Sequence, residues 1–173
     1  MNCRGLGNFQ KRRDVFHYLR DKGFSFYFLQ DTHFDPTMES RIKAEWGYEA
    51  FFFSYSTNAR GVAILVNNNV EFKVLSVHKD LNGNHLLVRI NMFNTVFLLV
   101  NVYGQNNDCP EFYDTCSLER NIRNIGNFDS IIMAGDFNLV RNFELDCFNP
   151  YQPIAPSKGA FLKYSQTVVK ISQ

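Results

Sequence analysis

Polar side chains follow three apolar stretches of the sequence, at the point where each stretch ends. They are Asp31, the polar residues of 103–106, and Asp136 with Asn138, and Asn2 adds a further amide near the beginning of the chain. Mg²⁺ prefers oxygen from carboxylates, carboxamides and water, and often only one or two protein carboxylates hold it while a substrate phosphate supplies further oxygens. The set therefore favours metal-assisted hydrolysis of a phosphoester.

Each of these positions alone has a plain structural explanation, because Asp and Asn are common turn residues at the ends of strands. Their repetition at three strand ends favours the functional interpretation, since ligands of sheet proteins gather where strands end. The repetition, rather than any single residue, carries the prediction of a site.

Three helices are predicted around these positions. Residues 10–22 carry apolar side chains on one side with charges around them, and Gly23 ends this amphipathic helix. A second helical stretch begins at Pro110 and ends at Gly126, and Ser157 is placed to cap a third helix.

Strands account for most of the remaining apolar residues. The runs 24–30 and 130–135 are short and nearly continuous, as in strands covered on both faces. Five further runs between residues 50 and 102 are separated by Asn-rich or Gly-containing turns, which is typical of antiparallel meanders. No repeat or flexible linker divides the chain. Residues 1–173 are therefore predicted to form one α/β (α+β) domain, a four-layer α/β/β/α sandwich of two packed sheets with helices outside.

Length and composition exclude several classes of protein. The chain has 173 residues, of which 45% are apolar and 20% charged, so it fits about one globular domain and is not disordered. No apolar run approaches the roughly 18 residues that span a bilayer, and the first residues do not resemble a signal peptide. The four cysteines lack CxxC spacing and nearby histidines, which argues against a zinc site. We expect an intracellular protein.

The net charge of +1 conceals a basic segment at the beginning of the chain. Residues 1–25 carry six basic side chains against two acidic ones, an excess of +4. Such a cluster is either a solvated helix face or a contact surface for a phosphate backbone. Under the second interpretation the candidate contacts are Arg4, Lys11, Arg12 and Arg13.

Five short motifs occur in order between residue 2 and residue 138. They are Asn2-Cys3-Arg4-Gly5-Leu6, Gln30-Asp31-Thr32-His33, Arg60-Gly61-Val62-Ala63-Ile64-Leu65, Asn101-Val102-Tyr103-Gly104-Gln105-Asn106 and Gly135-Asp136-Phe137-Asn138. This series resembles the endonuclease/exonuclease/phosphatase superfamily, and in particular the endonuclease domain of non-LTR (LINE-type) retrotransposon polyproteins. The resemblance implies a DNase I-like fold and a hydrolase that nicks DNA with Mg²⁺ or Mn²⁺.

The resemblance also implies a role for each matching residue. Asn2 and Asp31 would hold the metal, and Tyr103 would help to hold the scissile phosphate. Asp136 and Asn138 would orient the attacking water and contact the phosphate. The DNA would be contacted by Arg4, Lys11, Arg12, Arg13 and Asn106. The partner would thus be DNA, with no membrane and no obligate protein partner evident, and the protein would be nuclear if it acts like retroelement relatives.

Two departures from the family pattern predict impaired activity. Asp31 stands where the family has Glu, and the sequence lacks the late Asp-His pair that serves as general base or charge stabiliser. No other histidine is a convincing replacement, and His78 and His85 are expected to be solvated. We expect a copy of the domain truncated at both ends and inactive as it stands.

Three alternatives to an endonuclease fragment remain open at this point. The chain could be a nucleic-acid-binding module without catalysis, or a hydrolase of small phosphoesters with the same fold. It could also be the product of a degenerate reading frame without a selected function.

Overall fold

The computed structural model describes residues 1–80, 82–104 and 118–138 of the chain. These residues belong to two compact units. The first unit comprises Met1–Tyr103 with Asn127–Asp136, and the second comprises Gly104–Gly126 with Phe137–Gln173. The assignment of residues 1–173 to one domain stays a prediction.

The first sheet of the first unit has three antiparallel strands in the order β1-β3-β2. The strands are β1 (Phe26–Gln30), β2 (Ala50–Phe53) and β3 (Val62–Val66). The central strand β3 pairs with β1 from Phe26↔Val66 to Gln30↔Val62 and with β2 from Ala50↔Leu65 to Phe53↔Val62. Asn2 adds a parallel bridge at Gln30, so the beginning of the chain runs beside the end of β1.

The second sheet is mixed, with the strand order β4-β5-β6-β7. Its strands are β4 (Lys73–Lys79), β5 (His85–Met92), β6 (Thr95–Tyr103) and β7 (Ser130–Asp136). The first three are antiparallel, and β7 is parallel to β6 with Tyr103 opposite Asp136. The carboxyl ends of β6 and β7 therefore lie at the same edge of the sheet.

Two α-helices of the first unit lie against the first sheet. Helix α1 (Phe9–Lys22) is capped by Asn8, whose side chain accepts from the Lys11 amide, and it ends at Gly23 with φ 66°. Helix α2 (Glu39–Trp46) follows a short 3-10 turn at Pro36–Met38. Helix α3 (Leu118–Asn124) belongs to the second unit.

The first sheet is apolar on both faces because its strands separate two cores. Alternate residues of β1, β2 and β3 face the helices, where they pack with Phe16 and Leu19 of α1 and with Ile42 and Trp46 of α2. The intervening residues face β5 and β6 of the second sheet. Burial on both faces explains the nearly continuous apolar run of β1. The two packed sheets with outer helices confirm the predicted sandwich architecture.

One carboxamide crosses between the sheets within the core. Asn101 of β6 is fully buried, and its Nδ2 donates to the carbonyls of Leu29 at 2.9 Å and Ala63 at 2.8 Å. Its Oδ1 accepts from Gln30 Nε2 at 2.6 Å. All of these bonds are shielded from water, so losing one partner would leave buried polar groups unpaired.

Most of the predicted elements are confirmed, but which sheet each strand joins was not predicted. The helix at 10–22 and the strands at 24–30 and 130–135 correspond to α1, β1 and β7. The five runs between 50 and 102 are strands with antiparallel neighbours, as predicted, and they divide between the two sheets. Helix α2 was not predicted. Of the predicted helix from Pro110, the described part is α3, and the helix expected after Ser157 lies outside the described residues.

No helix within residues 1–80, 82–104 and 118–138 combines the length and apolar character needed to cross a bilayer.

Replacing Asn101 should destabilise the first unit strongly. Asn101→Ala leaves the Gln30 amide and two carbonyls buried without their partner, and we expect the free energy of unfolding to fall by about 3 kcal/mol. The matched control is Asn91→Ala on β5, where the side chain is only half-buried, and its cost should stay below about 1 kcal/mol. Chemical denaturation measures both values, and equal losses would contradict the role given to Asn101.

Candidate active site

The segment from Asn2 to Leu6 lies beside the residues that follow β1. Cys3 N donates to Gln30 O at 2.8 Å, Gly5 N to Asp31 O at 2.8 Å, and Leu6 N to Thr32 O at 2.7 Å. This backbone ladder aligns the first two sequence motifs with one another. Asn2 and Asp31 are therefore neighbours through the backbone pairing of their segments.

Asp136 ends β7 and receives a hydrogen bond from the first motif. Asn2 Nδ2 donates to Asp136 Oδ2 at 2.7 Å, across 134 positions of sequence. The Asn2 Oδ1 accepts from the Arg4 amide at 3.1 Å, which orients the carboxamide. Tyr103, the register partner of Asp136 on β6, is almost fully buried. Three predicted site residues, Asn2, Tyr103 and Asp136, are thus brought to one edge of the fold.

The glycine before Asp136 is required by the close approach of β6. A Cβ on Gly135 would lie 2.2 Å from the Val102 carbonyl oxygen, a distance that no side chain tolerates. Glycine therefore allows β7 to approach β6 at the point where Asp136 leaves the strand.

Asp31 is held by a histidine two residues further on. Its Oδ1 lies 2.8 Å from His33 Nε2, and the side chains of Asp31 and His33 are 16% and 23% exposed. Both residues adopt φ 55°, a left-handed conformation that is uncommon for residues other than glycine. The turn presents a partly exposed carboxylate next to Asn2. Its Asp–His contact joins residues two positions apart in sequence.

Gly5 leaves the space that the His33 ring occupies. A Cβ on Gly5 would lie 2.9 Å from His33 Nδ1, and Gly5 itself has φ 80°. A side chain at position 5 would therefore be strained and would displace the ring that holds Asp31.

The basic residues predicted to contact DNA have different environments. Arg4 is exposed beside Asn2, and Arg13 is exposed with its Nε 3.9 Å from Asp14. Lys11 Nζ donates to the carbonyls of Cys3 at 2.8 Å and Arg4 at 3.1 Å, so it supports the segment that carries Asn2.

Arg12 differs from this group because it is buried. Its Nε and Nη2 donate to the Glu45 carboxylate at 2.6 and 3.0 Å, and its Nη1 donates to the carbonyls of Leu6 and Gly7. The Arg12 guanidinium, with a smaller contribution from Arg41, lowers the pKa of Glu45. Arg12 is 1% exposed, and four of its five N–H donors bond to Glu45, Leu6 and Gly7. It therefore connects α1 to α2 and is not accessible to a DNA backbone, which corrects the expectation for Arg12.

The buried thiol next to Asn2 is unsuited to nucleophilic chemistry. Burial raises the pKa of Cys3 to about 11, so its thiolate is scarce at neutral pH. Within residues 1–80, 82–104 and 118–138, no three His, Cys, Asp or Glu side chains form a cluster that could hold a metal. Asp31 and Asn2 offer one carboxylate and one carboxamide oxygen, which are the hard donors that Mg²⁺ binds in small number alongside water.

The loop residues 82–84, together with Asp80, support Tyr103. The Asp80 carboxylate accepts from the backbone amides of Asn82, Asn84 and His85 at 2.9 to 3.1 Å. Asn84 Nδ2 donates to Tyr103 O at 3.0 Å, and Tyr103 N donates to Asn84 O at 2.6 Å. Sequence reasoning did not single out Asn84, and its only signal was the Asn-Gly-Asn turn.

His85 was expected to be solvated, and this expectation is wrong. The side chain is fully buried, and burial lowers its pKa to about 4, with Asp80 opposing the shift and His78 adding to it. His85 is therefore neutral near pH 7.

Asn138 and Asn106 complete the predicted set. Asn138 belongs to the second unit, where its Nδ2 donates to Gly104 O at 2.6 Å. Asn106 lies outside the described residues.

The sequence of this chain matches the model of the Endonuclease/Exonuclease/phosphatase family over residues 1–148. A related sequence is the Transposon TX1 uncharacterized 149 kDa protein of Xenopus laevis, which is 30% identical over 141 residues. That alignment covers 80% of this chain and 11% of the transposon protein, so the chain spans a small part of this relative.

Two solved structures share the fold at low sequence identity. The 3'-5' exonuclease (NExo) from Neisseria meningitidis matches with a TM-score of 0.58 at 18% identity, over 98% of this chain and 69% of that one. An AP endonuclease from Archaeoglobus fulgidus matches with a TM-score of 0.57 at 16% identity, over 91% of this chain and 65% of that one. The family model matches residues 1–148, and the ordered motifs and the two-sheet fold agree with it. The chain therefore belongs to the Endonuclease/Exonuclease/phosphatase family.

Proposed function

We propose that this chain is a metal-dependent phosphodiesterase that nicks DNA, although the two departures from the family pattern lead us to expect an inactive copy of the domain. The observation that carries the proposal is the hydrogen bond from Asn2 to Asp136, which joins two candidate site residues that are 134 positions apart. Transposon kinship supports DNA as the substrate, and a chromosomal target would place the activity in the nucleus.

In the proposed reaction, a water molecule attacks the phosphorus in line with the leaving oxygen. The Asp136 carboxylate orients this water and accepts its proton, while Asn2 keeps the carboxylate in position through its Nδ2 donor. A new phosphorus–oxygen bond forms, the bond to the leaving strand end breaks, and that oxygen takes up a proton from solvent while Asp136 returns its proton to solvent. Tyr103, whose backbone Asn84 holds on both sides, contacts the phosphate.

The metal-binding residues would be Asp31 and Asn2. Their oxygens are the hard donors that Mg²⁺ and Mn²⁺ accept, and the remaining positions would go to water and phosphate. When bound, the ion would offset the negative charge that develops on the phosphate oxygens. The residues of this chain set the orientation of the donors, because His33 holds Asp31 and the Arg4 amide holds Asn2.

Positive charge beside the site would guide the DNA backbone. Arg4 and Arg13 are exposed, and Lys11 is exposed although its ammonium bonds to nearby carbonyls. Arginine contacts to phosphate are independent of base sequence and weaken as salt displaces them. These side chains would therefore set affinity and strand orientation rather than sequence preference.

A second candidate is a DNA-binding module without catalysis. It is favoured by the short Asp31 side chain, whose Oδ1 is already engaged by His33, and by the inactivity expected from the lack of a late Asp-His pair. This candidate predicts DNA binding without strand cleavage, so one nicking experiment separates the two functions.

Nicking of supercoiled plasmid in the presence of Mg²⁺ tests the proposal. We expect the full chain to convert supercoiled to open-circular DNA and Asp136→Ala to slow this conversion by more than about a hundredfold, because the water loses its carboxylate. The control is Asp21→Ala, an exposed position of α1, which should retain the rate. Plasmid that stays intact, or nicking indifferent to Asp136→Ala, would reject the nuclease.

Calorimetric titration with Mn²⁺ tests the metal-binding residues independently of cleavage. Asp31→Asn removes the charge of the proposed ligand and should weaken Mn²⁺ binding by at least about tenfold. Asp21→Asn, with the same change of charge at an exposed position, should bind Mn²⁺ like the unsubstituted chain. An affinity unaltered by Asp31→Asn would remove Asp31 from the metal site.

Two glycine substitutions test how Asp31 is positioned. Gly5→Ala places a methyl group against the His33 ring at positive φ, and we expect a loss of about 2 kcal/mol of stability together with weaker Mn²⁺ binding. Gly7→Ala is the matched control, because a Cβ there would meet no atom within 4 Å. Thermal unfolding and Mn²⁺ titration measure both effects, and similar results for the two variants would contradict the dependence on Gly5.

A further inference from the structure

An exposed tyrosine and an arginine lie together on the surface of the first unit. Tyr55 is 47% exposed, and the guanidinium carbon of Arg60 lies 5.1 Å from the centre of its ring. Neither side chain has a part in the metal site or in the proposed attack. We call them the Tyr55–Arg60 pair.

The Tyr55 ring is held against the loop that supports Tyr103. A Cβ on Gly83 would lie 2.7 Å from the Tyr55 Cβ and 3.1 Å from its Cγ, so the side chain packs directly on the glycine backbone. Glycine at position 83 also has φ 73°. The Tyr55 side chain is therefore held at its base by Gly83, while nearly half of the residue is exposed.

The Arg60 side chain is fixed by the same loop. Its Nη1 donates to Asn82 O at 3.0 Å and to Asn84 Oδ1 at 3.4 Å. Asn84 in turn bonds to the backbone of Tyr103 through both of its polar ends. The guanidinium is thus linked to the strand that carries Tyr103.

The backbone of Arg60 connects the pair to the other side of the site. Arg60 O accepts from His33 N at 2.9 Å, and Gly61 O accepts from Thr32 N at 3.1 Å. The Tyr55–Arg60 pair therefore lies between the Asp31–His33 turn and the end of β6. Arg60 thus bonds to both segments that hold predicted site residues, the Asp31–His33 turn and the loop that supports Tyr103.

We propose that the Tyr55–Arg60 pair binds an unpaired DNA base next to the scissile phosphate. The inference rests on the proposed function and deepens it, because it names single-stranded or locally opened DNA as the form that the site accepts. Aromatic rings and guanidinium groups stack on any base, and Arg adds attraction to the backbone. Both side chains are already held in position, so little conformational freedom is lost on binding.

The first experiment measures binding of a fluorescent single-stranded oligonucleotide by anisotropy. EDTA is present, so cleavage does not contribute. Tyr55→Ala should bind about tenfold more weakly, because one stacked base is lost, whereas Tyr55→Phe keeps the ring and should bind normally. The control is Tyr18→Ala, which removes an equally exposed tyrosine on α1 that lies next to its own cation, Lys22. Equal affinities for Tyr55→Ala and the unsubstituted chain would overturn the proposal.

A second experiment varies the DNA instead of the protein. In a series of oligonucleotides that each lack one base, removing the base at one position should weaken binding of the unsubstituted chain by about tenfold. Removing that same base should leave the affinity of Tyr55→Ala unchanged. If Tyr55→Ala folds poorly, Tyr55→Leu takes its place, because Leu keeps an apolar contact with Gly83 but has no ring. Tyr55→Leu should then show the same weakened binding and the same insensitivity to the missing base. A series in which no missing base matters would overturn the proposal.

Salt dependence separates stacking from simple charge attraction. Tyr55→Ala should lower affinity without changing the slope of log affinity against log salt, because Tyr carries no charge. A changed slope would count against stacking. If DNA binding depends on Tyr55 but the chain does not nick plasmid, base binding is supported and catalysis is overturned. If the chain nicks plasmid but binding does not depend on Tyr55, catalysis is supported and base binding is overturned.

Discussion

The Asn101 carboxamide sets how the two sheets of the first unit lie on each other. Its two donors reach β1 and β3, and its acceptor receives Gln30, so one side chain on β6 is matched to three groups of the opposite sheet. Apolar packing alone tolerates small sliding of sheets, whereas buried hydrogen bonds have a single correct offset. Because Gln30 precedes Asp31 and Asn101 lies two residues before Tyr103, this offset brings the ends of β1 and β6 to the same edge.

The sequence motifs are parts of one packed unit rather than separate signatures. Gly5 of the first motif accommodates His33 of the second, and Gly135 of the last accommodates the carbonyl of Val102 in the motif before it. Asn2 bonds to Asp136, and Arg60 bonds through its carbonyl to His33. The glycines in these motifs are therefore explained by neighbours that are distant in sequence, which a single motif does not reveal.

The elements that sequence could predict are those whose signals are local. Helix α1 has an apolar stripe and a terminal glycine, and the strands β1 and β7 are short apolar runs with polar residues after them. Such local signals do not predict which residues distant in sequence pair with one another. Arg12 looks like a surface residue until Glu45, 33 positions away, is placed beside it, and His85 looks like a turn residue until strand pairing buries it opposite Val102. Likewise, alternation within strands did not indicate which of two sheets each strand joins.

The 134 positions between Asn2 and Asp136 also have a consequence for biosynthesis. Closing a contact of such separation carries a loop-closure entropy cost, which non-local contacts must repay before they stabilise the fold. While the chain is being made, Asn2 cannot pair with Asp136 until β7 has left the ribosome. The Asn2–Asp136 pair therefore cannot exist in a nascent chain that ends before residue 136.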